Sequence, residues 1–157
     1  MQKKIDKGAT CFSQMASTYQ DYSDSIGQSP DFNPVSYISS HDTELFFSRF
    51  SSFEMQRNAA NALLLTPGAI QVYYGDEVAR EIGPYADDFH QGTRSDMIWA
   101  LDEPREKLLE HWQTLGQFRQ RHPAIGAGQH QEIPQEKHYV FSRTFDRDKV
   151  VVAFVGK

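Results

Sequence analysis

Apolar positions follow a helical period in three stretches and a strand-like pattern in four. Ile5, Phe12, Met15 and Tyr19 predict a helix within residues 1 to 20. Residues 21 to 34, "DYSDSIGQSPDFNP", then read as a polar loop rich in Ser, Asp and Pro. Ala59, Ala60, Leu63 and Leu64 predict a helix over 54–66. Ser51 or Ser52 is its cap, Glu54 lies in its first turn, and Pro67-Gly68 stops it. Leu108, Leu109, Trp112, Leu115 and Phe118 form one stripe that predicts a helix over 103–122. Asp102 is its N-cap, and Pro104 sits in the first turn. Arg119, Arg121 and His122 lie near its C-terminal end, where cations are favoured, and Pro123 ends it.

"VSYI", Val35 to Ile38, reads as a short strand, and "AIQVYY", 69–74, as a continuous apolar run of the kind buried on both faces in parallel sheets. With the helix between them they spell a β-α-β crossover, hence an α/β fold with a parallel sheet. "HYVFSRTF" (138–145) and "KVVVAFV" (149–155) flank "DRD" and predict a β-hairpin. A hairpin alone is unstable, so this one must pack on the last helix or on further strands. Residues 78–102 read as a long irregular loop anchored by Met97, Ile98 and Trp99.

Composition narrows the function classes. With 39% hydrophobic and 24% charged residues, the 157-residue chain has the makings of a folded core. A formal net charge of -5 with scattered Lys and Arg argues against a nucleic-acid footprint. No apolar run is long enough to cross a membrane, and "MQKKIDKGATCFSQM" lacks the apolar segment of a signal peptide. Cys11 is the sole cysteine, either a buried thiol or half of a bridge to a partner elsewhere. The 20 aromatic side chains (11 Phe, 7 Tyr and 2 Trp) suit a filled core and also a surface that stacks on sugar rings.

Both candidate chemical clusters follow strands, on the edge where α/β folds build sites. His41-Asp42 comes two serines after the first strand. An imidazole there can donate to a substrate hydroxyl, and the carboxylate can offset developing positive charge. Equally, Asp42 can cap a turn beside a packed His41. Asp76-Glu77 in "YYGDE" is either a catalytic pair or, more in keeping with such turns, an anchor for backbone N–H groups or for Arg80 or Arg94. Arg94 in "QGTRSDMIW" can fix a carboxylate at the site or make a surface pair. Six histidines raise the question of a metal, but no H-x-x-x-H, H-E-x-x-H or Cys pair is present, so no metal ligand is assigned.

Four blocks in order carry a family resemblance across essentially the whole chain. "SYISSHD" resembles the strand-end His-Asp region of the α-amylase superfamily, glycoside hydrolase family 13. "LLLTPGAIQVYYGDE" is similar to the following helix, strand eight and acidic turn. "GTRSDMIW" resembles the family's Arg-x-x-Met-x-Trp loop, and "HWQTLGQFRQRHPAIGAG" the helix that closes the barrel. The resemblance implies the C-terminal part of a (β/α)8 TIM barrel followed by the start of an antiparallel β domain, domain C. Residues 1–102 would be the last part of the barrel, 103–123 its final helix, and 124–157 the start of the β domain.

The resemblance further implies retaining hydrolysis of α-1,4-glucans (starch and maltodextrins) in a periplasmic or secreted enzyme. Asp42 matches the transition-state-stabilising carboxylate, His41 the histidine that binds sugar hydroxyls, and Arg94 a substrate-side residue. The family's nucleophile Asp and acid/base Glu belong to regions that precede these blocks, so the isolated chain is expected to be an inactive fragment. Calcium, a structural ion in full-length family members, has its ligands mostly upstream, and no cofactor is assigned to this segment. Exposed barrel strands are expected to lead to rearrangement, oligomerisation, strand exchange or a mostly helical remnant rather than a monomeric copy of the barrel corner. The alternative function is a non-catalytic carbohydrate-binding or interaction module, with Tyr73, Tyr74, Tyr85 and Trp99 stacking on glucans.

Overall fold

A computed structural model describes residues 12–29, 31–84 and 87–155. Cys11 and Tyr85, singled out above, lie outside them. Two compact units emerge. The first takes in the chain up to Ser36, Leu65–Ile70 and everything from Phe118 on; the second is Tyr37–Leu64 with Gln71–Gln117.

In the first unit, helix α1 (Phe12–Gln28) runs eight residues beyond the expected end at residue 20. The polar 21–28 segment stays helical because it has tertiary and local partners. Ser23 Oγ donates to the Gly128 carbonyl at 3.1 Å and accepts from His130 N at 3.0 Å. Gln20 donates to Asp24 one turn on, at 2.8 Å. Strand β1 (Val35–Ser36) pairs in parallel with β2 (Ala69–Ile70), Val35 opposite Ala69, as the crossover pattern requires. The ladder is shorter than the apolar runs that predicted it. Gly68, at φ +83°, makes the entry to β2: a Cβ there would come within 2.7 Å of the Pro34 carbonyl.

Between β1 and β2 the crossover holds α2 (Phe46–Phe50) and α3 (Phe53–Leu64); after β2 come a 3₁₀ turn (Asp76–Val78), α4 (Phe89–Gly92) and α5 (Glu103–Arg121). Ser52 is the residue that caps α3, its hydroxyl accepting from Met55 N at 3.3 Å. Asp102 caps α5 as expected, accepting from Arg105 N at 3.1 Å. Among its described residues, the 78–102 stretch holds the end of the 3₁₀ turn and α4, joined by turns and irregular backbone with no strand. It is tied down by side chains rather than by a ladder.

Beyond α5 lie α6 (Ala124–Ala127), β3 (Gln129–Ile133), β4 (His138–Phe145) and β5 (Asp148–Val155), the strands forming an antiparallel sheet in that order. The hairpin is as predicted. The third strand, "QHQEI", escaped the pattern because only His130 among its residues is buried. Alternation in the hairpin aims Tyr139, Phe141 and Arg143 inward, opposite Phe154, Val152 and Val150. Tyr19 of α1 meets Tyr139 and Phe141 there, with Phe12, Met15 and Phe154 around them. Leu65, Ala124, Ile125 and Val150 make a second cluster.

Arg143 is fully buried between the rings of Tyr19 and Phe141, 4.9 and 4.6 Å from their centroids. It donates to the Leu65 carbonyl (2.6 Å), the Ile125 carbonyl (2.7 Å) and His130 Nδ1 (3.1 Å). Since the guanidinium donates, His130 Nδ1 must be unprotonated, leaving Nε2 to donate to Tyr139 Oη at 3.0 Å. Burial, then the Arg143 charge, press the His130 pKa down to about 4 from 6.5.

Arg143→Met would strip three buried acceptors of their donor. A loss of about 3 kcal/mol or more is expected in urea unfolding followed by circular dichroism. His130 gives a pH signature as well. The unfolded imidazole takes up its proton near 6.5 and the folded one only near 4. Its stabilising contribution is therefore complete above pH 6.5 and disappears as pH falls through 4.

Candidate active site on a hydrogen-bonded turn

The segment that leaves β1 stops on hydroxyl residues, and these shape the turn that follows. Ser40 N donates to Thr43 Oγ1 at 2.8 Å, and Ser40 Oγ accepts from Asp42 N at 3.1 Å. The turn leaves the side chains of His41 and Asp42 exposed, 55% and 62%, with His41 Nε2 3.0 Å from Asp42 Oδ2. An exposed pair of this kind contributes little to stability. Such an arrangement can offer an imidazole and a carboxylate together to one ligand.

Arg94 is drawn to the same turn. Its Nη1 donates to the His41 carbonyl at 2.9 Å and to the His90 carbonyl at 2.7 Å, and Nη2 lies 3.5 Å from Asp42 Oδ1. Thr93 Oγ1 donates to the same His41 carbonyl at 2.7 Å. All three sequence-chosen residues, His41, Asp42 and Arg94, thus come together.

Asp76 has a different environment. It is buried, with Ser39 Oγ donating to Oδ1 at 2.6 Å and Gln56 Nε2 donating to its carbonyl at 2.7 Å. Desolvation pushes its pKa up to about 7, against the opposing pull of the Ser39 bond. Glu77 Oε2 accepts from Gly75 N at 2.8 Å. The two carboxylates therefore anchor a loop, as the non-catalytic alternative held. Arg80, buried too, pairs with neither. It lies 3.9 Å over the Tyr74 ring and donates to Tyr74 O, Thr93 O, Ser95 O and Ser95 Oγ. Gly75 allows this, because a Cβ on it would meet Arg80 Cβ at 2.5 Å.

Sequence reasoning missed Ser39, Gln56 and Thr93. The serines flanking the strand end were the visible signal. Gln56 and Thr93 carry none, because their partners are backbone carbonyls far along the chain. Among the described residues, no group of three or more His, Cys, Asp and Glu side chains is disposed to hold a metal ion. No helix among them is long and apolar enough to cross a membrane.

No protein-family model matches the chain. Over 157 residues it is 42% identical to the periplasmic alpha-amylase of Escherichia coli (strain K12), covering 99% of this chain and 22% of that protein. The chain belongs to the α-amylase superfamily. AmyP, solved in complex with maltose, superposes with a TM-score of 0.64 at 22% identity, over 76% of this chain and 30% of AmyP. A cyclomaltodextrinase gives 0.60 at 26% identity, over 77% of this chain and 20% of its own. The chain spans about a fifth of the length of its curated α-amylase relative. In fold it is the C-terminal part of the superfamily's (β/α)8 barrel followed by the start of an antiparallel β domain.

The Asp76 environment predicts a pH effect of defined sign. Folded Asp76 keeps its proton up to about 7, whereas the unfolded carboxyl loses it near 3.8, so stability from this group falls as pH rises through that window. Asp76→Asn, neutral throughout, is expected to flatten the slope and to exceed the parent's stability at pH 8. Guanidinium midpoints from pH 4 to 8 check this, and a variant no more stable than the parent at pH 8 refutes it.

Proposed function

We propose that the full protein carrying this segment is a retaining glycoside hydrolase of α-1,4-glucans such as starch and maltodextrins. The observation that supports this most directly is the exposed His41–Asp42 pair, 3.0 Å apart on a turn that follows β1. In this proposal the Asp42 carboxylate stabilises the oxocarbenium-like transition state. His41 donates to ring hydroxyls of the same sugar, and Arg94 lines the substrate side. The nucleophile and the acid/base come from segments outside this chain, so the chain alone does not cleave. Residues 1–102 serve as barrel, 103–123 as its closing helix and 124–157 as the opening of the β domain. A periplasmic or secreted location follows the α-amylase relative. Calcium, where the full protein holds one, is bound by residues outside this segment.

Asp42→Asn in the full-length protein is expected to lower kcat on maltoheptaose by at least about 100-fold with the fold intact. Unchanged turnover would defeat the assignment. The chain alone is expected to release no reducing sugar.

A non-catalytic glucan-binding module is the second reading, and Trp99, 85% exposed, favours it. Tyr73 and Tyr74 are poorer stacking faces than their sequence suggests. Tyr73 donates its hydroxyl to Thr93 O, and Tyr74 is covered by Arg80. Titrating maltoheptaose against the chain while following Trp fluorescence tests this module, and a signal abolished by Trp99→Ala would support it.

Oligomerisation belongs to the same proposal. Val35, Tyr37, Val72 and Tyr74 are each at least 39% exposed, on and just beyond two short strands. Size-exclusion chromatography of the chain is expected to show self-association, and a monodisperse monomer would count against it.

A further inference from the structure

Thr93 has no place in the chemistry described so far, yet it sits where the segments following β1 and β2 meet. Its side chain is completely buried. The backbone carbonyl of Thr93 accepts from Tyr73 Oη at 3.1 Å and from Arg80 Nη2 at 3.2 Å. Both donors belong to the segment after β2. Its hydroxyl donates to the His41 carbonyl at 2.7 Å, with the His90 carbonyl at 3.3 Å as a second acceptor. One residue therefore ties the 73–80 segment, through its carbonyl, to the His41 turn, through its hydroxyl.

We propose that Thr93 is a positioning residue, whose hydroxyl holds the His41 carbonyl and so sets the placement of His41 and Asp42. This rests on the turn being part of a glucan-cleaving site. The argument is geometric. A side chain one bond from its own backbone moves with that backbone, and His41 and Asp42 are adjacent. The carbonyl between them is gripped at 2.7 Å by Thr93 and at 2.9 Å by Arg94.

The two grips differ in kind. Arg94 is 40% exposed in its side chain and reaches the carbonyl on a long stem. Thr93 is buried, β-branched and short, so it has little freedom to follow a drifting turn. Displacing a reacting group by about 1 Å is enough to cost rate heavily. The hydroxyl is therefore the rigid element and the guanidinium the adaptable one.

Thr93→Val keeps the branched shape and removes the donor, whereas Thr93→Ser keeps the donor. In the full-length protein on maltoheptaose, Thr93→Val is expected to lower kcat roughly tenfold or more, with KM changed far less, and Thr93→Ser to recover most of the loss. The 157-residue chain supplies a readout independent of activity. Amide hydrogen exchange at Asp42 and Thr43 should quicken in Thr93→Val and return towards the parent rate in Thr93→Ser.

An active parent protein with an unaltered kcat in Thr93→Val overturns the proposal. So does unaltered exchange at the turn. A parent protein without glucan hydrolysis sinks the functional reading instead, and faster exchange in Thr93→Val would still establish the hydroxyl as the hold on this turn.

Discussion

A single buried hydrogen bond, 2.6 Å from Ser39 Oγ to Asp76 Oδ1, underlies the geometry of the candidate site. The same serine oxygen accepts from Phe46 N at 3.0 Å, and the Asp76 carbonyl accepts from Gln56. Two stretches remote in sequence, at Ser39 and Gln56, thus converge on one aspartate, and Phe46 is held through Ser39. In a low-dielectric interior such bonds are strong when made and costly when broken, so the segments they join have little freedom. Ser39 is two residues before His41, and the turn inherits that restraint.

Asp42 and Asp76 illustrate how environment divides two identical side chains. Asp42 faces solvent beside His41 and Arg94 and remains available to a ligand. Asp76 is desolvated, and its raised pKa follows from that burial. The exposed aspartate stays open to solvent, while the buried one holds the chain. Arg80 and Arg94 divide in a parallel way. One is spent on Tyr74 and on carbonyls of the 93–95 segment, the other reaches the turn.

The sheet-bearing unit is organised by a buried cation rather than by aliphatic packing alone. Arg143 occupies an inward strand position where a hydrophobe would be the simpler choice. There it satisfies the carbonyls of Leu65 and Ile125 and forces one tautomer on His130. Breaking such an arrangement by removing one member leaves the others buried without partners, which is why its loss should be expensive.

The three longer helices, the parallel crossover, the hairpin, both helix caps and His41, Asp42 and Arg94 as candidates were legible in the sequence. Each depends on local periodicity, on capping chemistry or on a motif whose residues lie close together. The polar end of α1, the strand β3, and the roles of Ser39, Gln56, Thr93 and Arg143 were not legible. A polar residue shows no period when its partner is a backbone carbonyl tens of residues away, and only the folded chain brings the two within bonding distance. By itself the sequence determined which groups the chain has to offer at its strand ends. Tertiary structure alone decided which of them are buried and paired and which face solvent, because desolvation and hydrogen-bond geometry exist only after the segments have met.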